Sequence, residues 1–185
     1  MFSGAGNDVV GSDENNISYL TSMIKDYDSS QSLEWHLDTD ATFERFEFIE
    51  KSYRTLFTTI ESRFPFRDHP SLKLFIHGYD YVQVKSLPVS NPNRPFWAAD
   101  WTGAPLRVHS FPNNTIGTQL IGILIDKLNE ITMKVCSESP RGVYVDLRGS
   151  VPPNEWADEL HATDLGFRSA ANKFIKVLRN NGIEN

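Results

Sequence analysis

The sequence is short of almost everything that staples, anchors or strongly charges a chain. One cysteine, Cys136, stands among 185 residues, so no internal disulfide forms and a zinc site built on thiolates is excluded. No run approaches the roughly 18 consecutive apolar residues of a membrane-spanning helix, so no membrane span is expected. No N-terminal signal peptide is visible either, and a cytoplasmic location fits. Lys and Arg number 18 against 24 Asp and Glu, and the net charge of -6 argues against nucleic acid, which calls for a basic footprint. Motifs are equally sparse: there is no Gly-x-Ser-x-Gly elbow, no P-loop and no His-Glu-x-x-His. No metal and no cofactor are expected. Repeats, low-complexity tracts and internal boundaries are absent too, leaving a single domain over residues 1–185.

What is present is the composition of a folded domain, 39% apolar and 23% charged, long enough to bury a substantial core. Residues 15–27 place Ile17, Leu20, Met23, Ile24 and Tyr27 on one side of a short helix. From Asp40 a longer helix is expected. Phe43, Phe46, Ile49, Tyr53, Leu56, Phe57 and Ile60 recur at three- and four-residue spacing until Pro65, a stripe that reads as core. Residues 72–76 read as a buried strand running into His77-Gly78-Tyr79-Asp80-Tyr81. Segment 82–113 has no clear helix and holds Pro88, Pro92, Pro95, Pro105 and Pro112 with Phe96, Trp97 and Trp101, a long loop or flap over a site. Trp97 and Trp101 either line an apolar pocket there or simply anchor the loop.

Asn114 or Thr115 is expected to cap the next helix, whose face is Ile116, Leu120, Ile121, Leu124, Leu128 and Ile131. Residues 143–147, rich in β-branched side chains, read as a second buried strand. Thr163 then caps a last helix marked by Phe167, Ala170, Ala171, Phe174 and Leu178. Strands alternating with helices imply parallel pairing and a three-layer α/β sheet, with sites at the carboxyl ends of the strands.

Candidate chemistry sits at three such ends. Asp158 lies three residues before His161 in the loop that enters the last helix. A carboxylate beside an imidazole orients the ring and stabilises its protonated form, which is what a general base needs. The spacing alone is common and suits a surface or structural pair equally. His77 ends the first strand and reads as a loop residue packing near a site. The opening Met1-Phe2-Ser3-Gly4-Ala5-Gly6-Asn7-Asp8 is either a loose loop or the stump of a buried strand feeding a functional turn. Asn7, His77 and the Asp158/His161 pair all follow expected strands, which argues for one shared site.

Trp156-x-Asp-Glu-Leu-His-x-Thr-x-x-Gly-Phe, followed by an Ala-rich amphipathic helix, resembles the final block of SGNH (GDSL-type) hydrolases. Gly4-Ala5-Gly6-Asn7-Asp8 is similar to the family's third block, Gly-x-Asn-Asp. Ala162 stands where many members carry proline, and Ala5 replaces the third block's glycine. The resemblance implies a flavodoxin-like α/β/α fold acting on a small ester or acyl substrate. In that scheme His161 is the general base of a Ser-His-Asp triad, Asp158 orients it and Asn7 donates to the oxyanion hole. Only the later part of the pattern is present: there is no Gly-Asp-Ser block for the nucleophile. Ser3 and Ser12 are the serines nearest Asn7, and neither sits on a strand-to-helix turn. The expectation is therefore the C-terminal portion of an ester hydrolase, N-terminal strands missing and inactive alone. The alternative is a catalytically dead binding or interaction module that keeps the fold. An exposed sheet edge would invite self-association or complementation by another chain.

Overall fold

A computed structural model describes residues 9, 11–14, 18–85, 87 and 100–183. Helix α1 is confined to Tyr19–Ser22, shorter than the period of 15–27 implies. The backbone beyond it is engaged elsewhere: Lys25 donates to the His36 carbonyl at 2.7 Å and Asp38 to Met23 at 2.9 Å, around an Ile24–Leu37 bridge. His36, in a single 3-10 turn (Glu34–His36), stacks on Tyr27 at 5.3 Å and is fully buried.

Helix α2 (Thr39–Arg63) starts where the Asp38 carboxylate accepts from the Ala41 N–H at 2.9 Å, and it stops just before Pro65. It buries Thr42, Phe46, Ile49 and Tyr53, with Leu56, Phe57 and Ile60 packed on the same core. Phe43, expected in that stripe, is 66% exposed. At 3.6 residues per turn it stands about 100° around the helix from Thr42, outside the buried arc.

Strands β1 (Leu74–His77) and β2 (Gly142–Val145) pair in parallel, with Leu74 opposite Gly142 and His77 opposite Val145. Bonds from the Leu74 N–H to the Arg141 carbonyl (2.8 Å) and from the Gly78 N–H to that of Val145 (2.9 Å) extend the ladder at both ends. Between the strands lie α3 (Gly103–Val108) and α4 (Asn114–Ser137). The six-residue α3 falls within the segment expected to lack a helix. Asn113, one residue before the expected caps, accepts from the Ile116 N–H at 3.0 Å and starts α4. Leu120, Ile121, Leu124, Leu128, Thr132 and Val135 form the buried arc of α4.

Alternation along β1 sends Leu74 and Ile76 into the core shared with α2 and α4. Phe75 and His77 point the other way, where both rings meet Phe174 of α5 (Asp164–Asn180), at 6.4 and 6.3 Å. The described residues thus form a mixed helix-and-strand structure around a small two-stranded parallel sheet, compatible with α/β. The last helix is the looser side. Gly166 is its only buried residue, Phe174 and Leu178 are half-buried, and Phe167 is 57% exposed although the periodicity put it on the packing face.

The turn after β1 is fixed by Asn129, which is fully buried on α4. Its Oδ1 accepts from the Tyr79 N–H (3.0 Å) and the Tyr144 hydroxyl (2.7 Å), and its Nδ2 donates to the carbonyls of Tyr79 (2.9 Å) and Ile125 (2.8 Å). The approach leaves no room for a side chain at residue 78. A Cβ there would lie 1.7 Å from Asn129 Oδ1, so glycine is required by space.

Candidate active site

The loops leaving the two strands are tied together before they reach the site. Asp80 accepts from the Val151 N–H at 2.6 Å and the Ser150 hydroxyl at 3.1 Å with one oxygen, and from the Gly149 N–H at 2.5 Å with the other. This carboxylate stands in the His-Gly-Tyr-Asp-Tyr segment, and its work is to hold the exit of β2 against the exit of β1. Arg148, bonded to Asp146 (2.8 Å) and Asp126 (2.9 Å), closes the outer side of the same turn.

Beyond it the chain folds back on itself. The Thr163 N–H donates to the Glu155 carbonyl at 2.9 Å and the Ala157 N–H to that of His161 at 2.8 Å, around a Trp156–Ala162 bridge. Asp158 lies inside this turn and is 4% exposed. Its Oδ1 accepts from the backbone N–H groups of Leu160 and His161, both at 2.7 Å. Its Oδ2 stands 2.8 Å from His161 Nδ1. Burial pushes the Asp158 carboxyl upward, but the His161 N–H, the His161 ring and the Leu160 N–H together outweigh it and hold the group below its usual value.

An ionised carboxylate only accepts, so Nδ1 carries the proton and the neutral ring keeps its lone pair on Nε2. The His161 side chain is 56% exposed, and nothing among the described residues bonds Nε2. The buried partner fixes the ring; the exposed nitrogen is the one that is able to take a proton. Immediately after, the Thr163 hydroxyl accepts from the Gly166 N–H at 3.2 Å and starts α5 as the sequence predicts. It donates in turn to the Glu155 carboxylate.

Trp101 is the other expected site residue at this point, its ring 6.3 Å from that of His161 at 67°. The indole N–H is buried and has no acceptor among the described residues. His77 is placed differently: its Nδ1 meets the Gly78 carbonyl at 2.8 Å and its ring packs on Tyr79 and Phe174. It supports the β1 face of α5, and none of its contacts is with Asp158 or His161. Asn7 and Trp97 lie outside the described residues, as does Ser3. Ser12 is exposed and bridges to Ser18. Cys136 is buried, and burial pushes its thiol up to about 11, so it is no thiolate nucleophile at neutral pH.

Sequence reasoning passed over Glu159, the residue beside Asp158. It is completely buried, and its carboxylate takes bonds from Lys85, Thr102 and Gly103. A glutamate in a polar loop carries no local signal for this, since its partners lie 74, 57 and 56 residues away.

Chemically, the arrangement offers an oriented base with an aromatic neighbour. Among the described residues no group of three or more His, Cys, Asp or Glu side chains is placed to hold a metal ion. No described helix is long and apolar enough to cross a membrane. Against known proteins, no family model, no curated protein and no solved structure matches this chain.

Proposed function

We propose that Asp158 and His161 are the base half of an ester-hydrolysing site of the SGNH (GDSL) type. The observation that carries this is the division of labour at His161: Nδ1 held by a buried carboxylate at 2.8 Å, Nε2 exposed. In acyl transfer by a serine triad, that geometry lets the imidazole take the nucleophile's proton while the carboxylate stabilises the imidazolium. Helices on both faces of a parallel sheet, with the pair on a loop beyond a strand's carboxyl end, are what a three-layer flavodoxin-like domain of this family would provide. Asn7 is proposed as the oxyanion donor on the Gly-x-Asn-Asp resemblance alone. The substrate class is a small carboxylic ester.

The sequence holds no Gly-Asp-Ser segment, so this chain by itself is expected to turn over esters only marginally. The same absence favours the second reading, a binding module that keeps the fold without the reaction. The test is hydrolysis of p-nitrophenyl acetate and butyrate by the purified chain, by His161→Ala and by Asp158→Ala. The hydrolase reading expects a small rate above buffer that both substitutions reduce. No rate above buffer favours the binding module. A robust rate that survives His161→Ala refutes the base assignment.

The proposal extends to assembly. Phe43, Phe48, Leu165 and Phe167 are each more than half exposed, and we propose that the chain self-associates through such apolar surface. Light scattering over a concentration series decides it: a monomer at the highest concentration, unchanged by Phe43→Ser and Phe167→Ser, contradicts it.

A further inference from the structure

The buried Glu159 carboxylate joins three separate pieces of chain. Its Oε1 accepts from the Lys85 N–H at 3.0 Å. Its Oε2 accepts from the Thr102 N–H (2.8 Å), the Thr102 hydroxyl (2.9 Å) and the Gly103 N–H (3.1 Å). Those last donors open α3, so the carboxylate sits where a helix leaves its first N–H groups unpaired and favours negative charge. The Glu159 carbonyl accepts from the Gln83 N–H at 3.2 Å, and Lys85 Nζ reaches the Trp156 carbonyl. Thr102 is fully buried, and its chain neighbour is Trp101. Trp101 is thus held from one side by a residue of the same turn that carries His161.

We propose that Glu159 is a positioning residue: by gripping Thr102 and Gly103 it seats the Trp101 indole against the His161 imidazole. Asp158 and Glu159, adjacent in sequence, divide the work. Asp158 sets the tautomer and direction of the ring through its own turn, its carboxylate bonding Leu160 and His161. Glu159 brings an apolar wall beside that ring from a distant part of the chain. An indole there favours a planar or apolar group on whatever approaches His161, so Glu159 acts on substrate preference through Trp101. That role rests on reading His161 as the general base, whereas the seating itself does not.

The experiment is nuclear magnetic resonance of the full chain, wild type against Glu159→Ala and Glu159→Gln. Three signals are read: cross-relaxation between Trp101 and His161 ring protons, the nitrogen shifts that report the His161 tautomer, and cross-relaxation between Tyr27 and His36 as a fold control. The expected result is loss of the Trp101–His161 signal in Glu159→Ala and its weakening in Glu159→Gln, where an amide turns one N–H toward a donor. The tautomer and the Tyr27–His36 signal stay as in wild type. A folded Glu159→Ala that keeps the Trp101–His161 signal overturns the proposal, as does loss of the tautomer together with the contact. Should Glu159→Ala fail the fold control, Thr102→Val, which removes only the hydroxyl bond, is expected to weaken the same signal, and an unchanged signal there overturns it. Ester turnover enters none of these readings, so failure of the hydrolase assignment is distinguishable from failure of the seating.

Discussion

Gly78→Ala is the sharpest test of the packing behind the site. The backbone at 78 lies outside the left-handed region, which among the described residues holds Ser110, Gly149 and Gly182, so any loss comes from space and not from conformation. The added methyl would sit 1.7 Å from Asn129 Oδ1 and 2.5 Å from the Tyr144 hydroxyl. Asn129 must swing away, leaving the Tyr79 N–H and the Tyr144 hydroxyl without their acceptor. Two part-buried polar groups unpaired at about 1–3 kcal/mol each put the loss near 3 kcal/mol. That is a large share of the roughly 5–15 kcal/mol that holds a domain together.

Asn129→Ala alone removes the same acceptor, and its loss is also expected near 3 kcal/mol. The informative protein is the double variant. With the amide gone only the Tyr144 hydroxyl, 2.5 Å from the methyl and released from Asn129, must still shift, so Gly78→Ala/Asn129→Ala is expected to be only slightly less stable than Asn129→Ala, a coupling of about 2–3 kcal/mol. Urea unfolding of the four proteins, with slopes compared to keep the reference state constant, measures it. Additive losses in the double variant would refute the argument that residue 78 is glycine because of Asn129.

Other outcomes follow from the same geometry. Arg141 is 1% exposed, and its guanidinium bonds Glu61 and the carbonyls of Phe64, His69 and Leu72. Arg141→Met is therefore expected to lose about 3 kcal/mol in urea unfolding, whereas Arg54→Met, at a half-exposed pair with Glu138, is expected to lose far less. Asp158 is held below its ordinary 3.8, so its contribution is present above the unfolded value and lost as the pH falls through the lower folded one. Asp158→Asn is accordingly expected to be less stable than wild type at pH 7, with the gap closing as the pH drops below about 4 in thermal melts. A gap that widens toward acid would reverse the sign of the argument. Phe167→Ser should stay within about 0.5 kcal/mol of wild type in urea, because Phe167 leaves little surface on α5 to lose.

How far the sequence reached depended on how local each cause is. Helix α2 was legible because the three–four spacing and Pro65 act within or beside its own span, whereas its cap, Asp38, lies two residues before the expected start at Asp40. The Thr163 cap and the Asp158–His161 pair were legible for the same reason, the capped Gly166 N–H and the paired ring each lying three residues on. Helix α3 was not: six residues carry no periodic face, and the carboxylate at its start comes from Glu159, more than 50 residues downstream. Phe43 and Phe167 were misplaced because spacing fixes a helix face without saying how wide an arc its neighbours cover. His77 was marked by its place at a strand end, but side-chain alternation turned it toward Phe174.

The central claim is that Asp158 holds His161 as an oriented base. Nitrogen chemical shifts of the neutral His161 ring, in wild type and Asp158→Asn, test it most directly. The account predicts the Nδ1–H tautomer in wild type, with the lone pair on Nε2, and a mixture of tautomers in Asp158→Asn. A ring already mixed, or carrying its proton on Nε2 in the wild type, would contradict it.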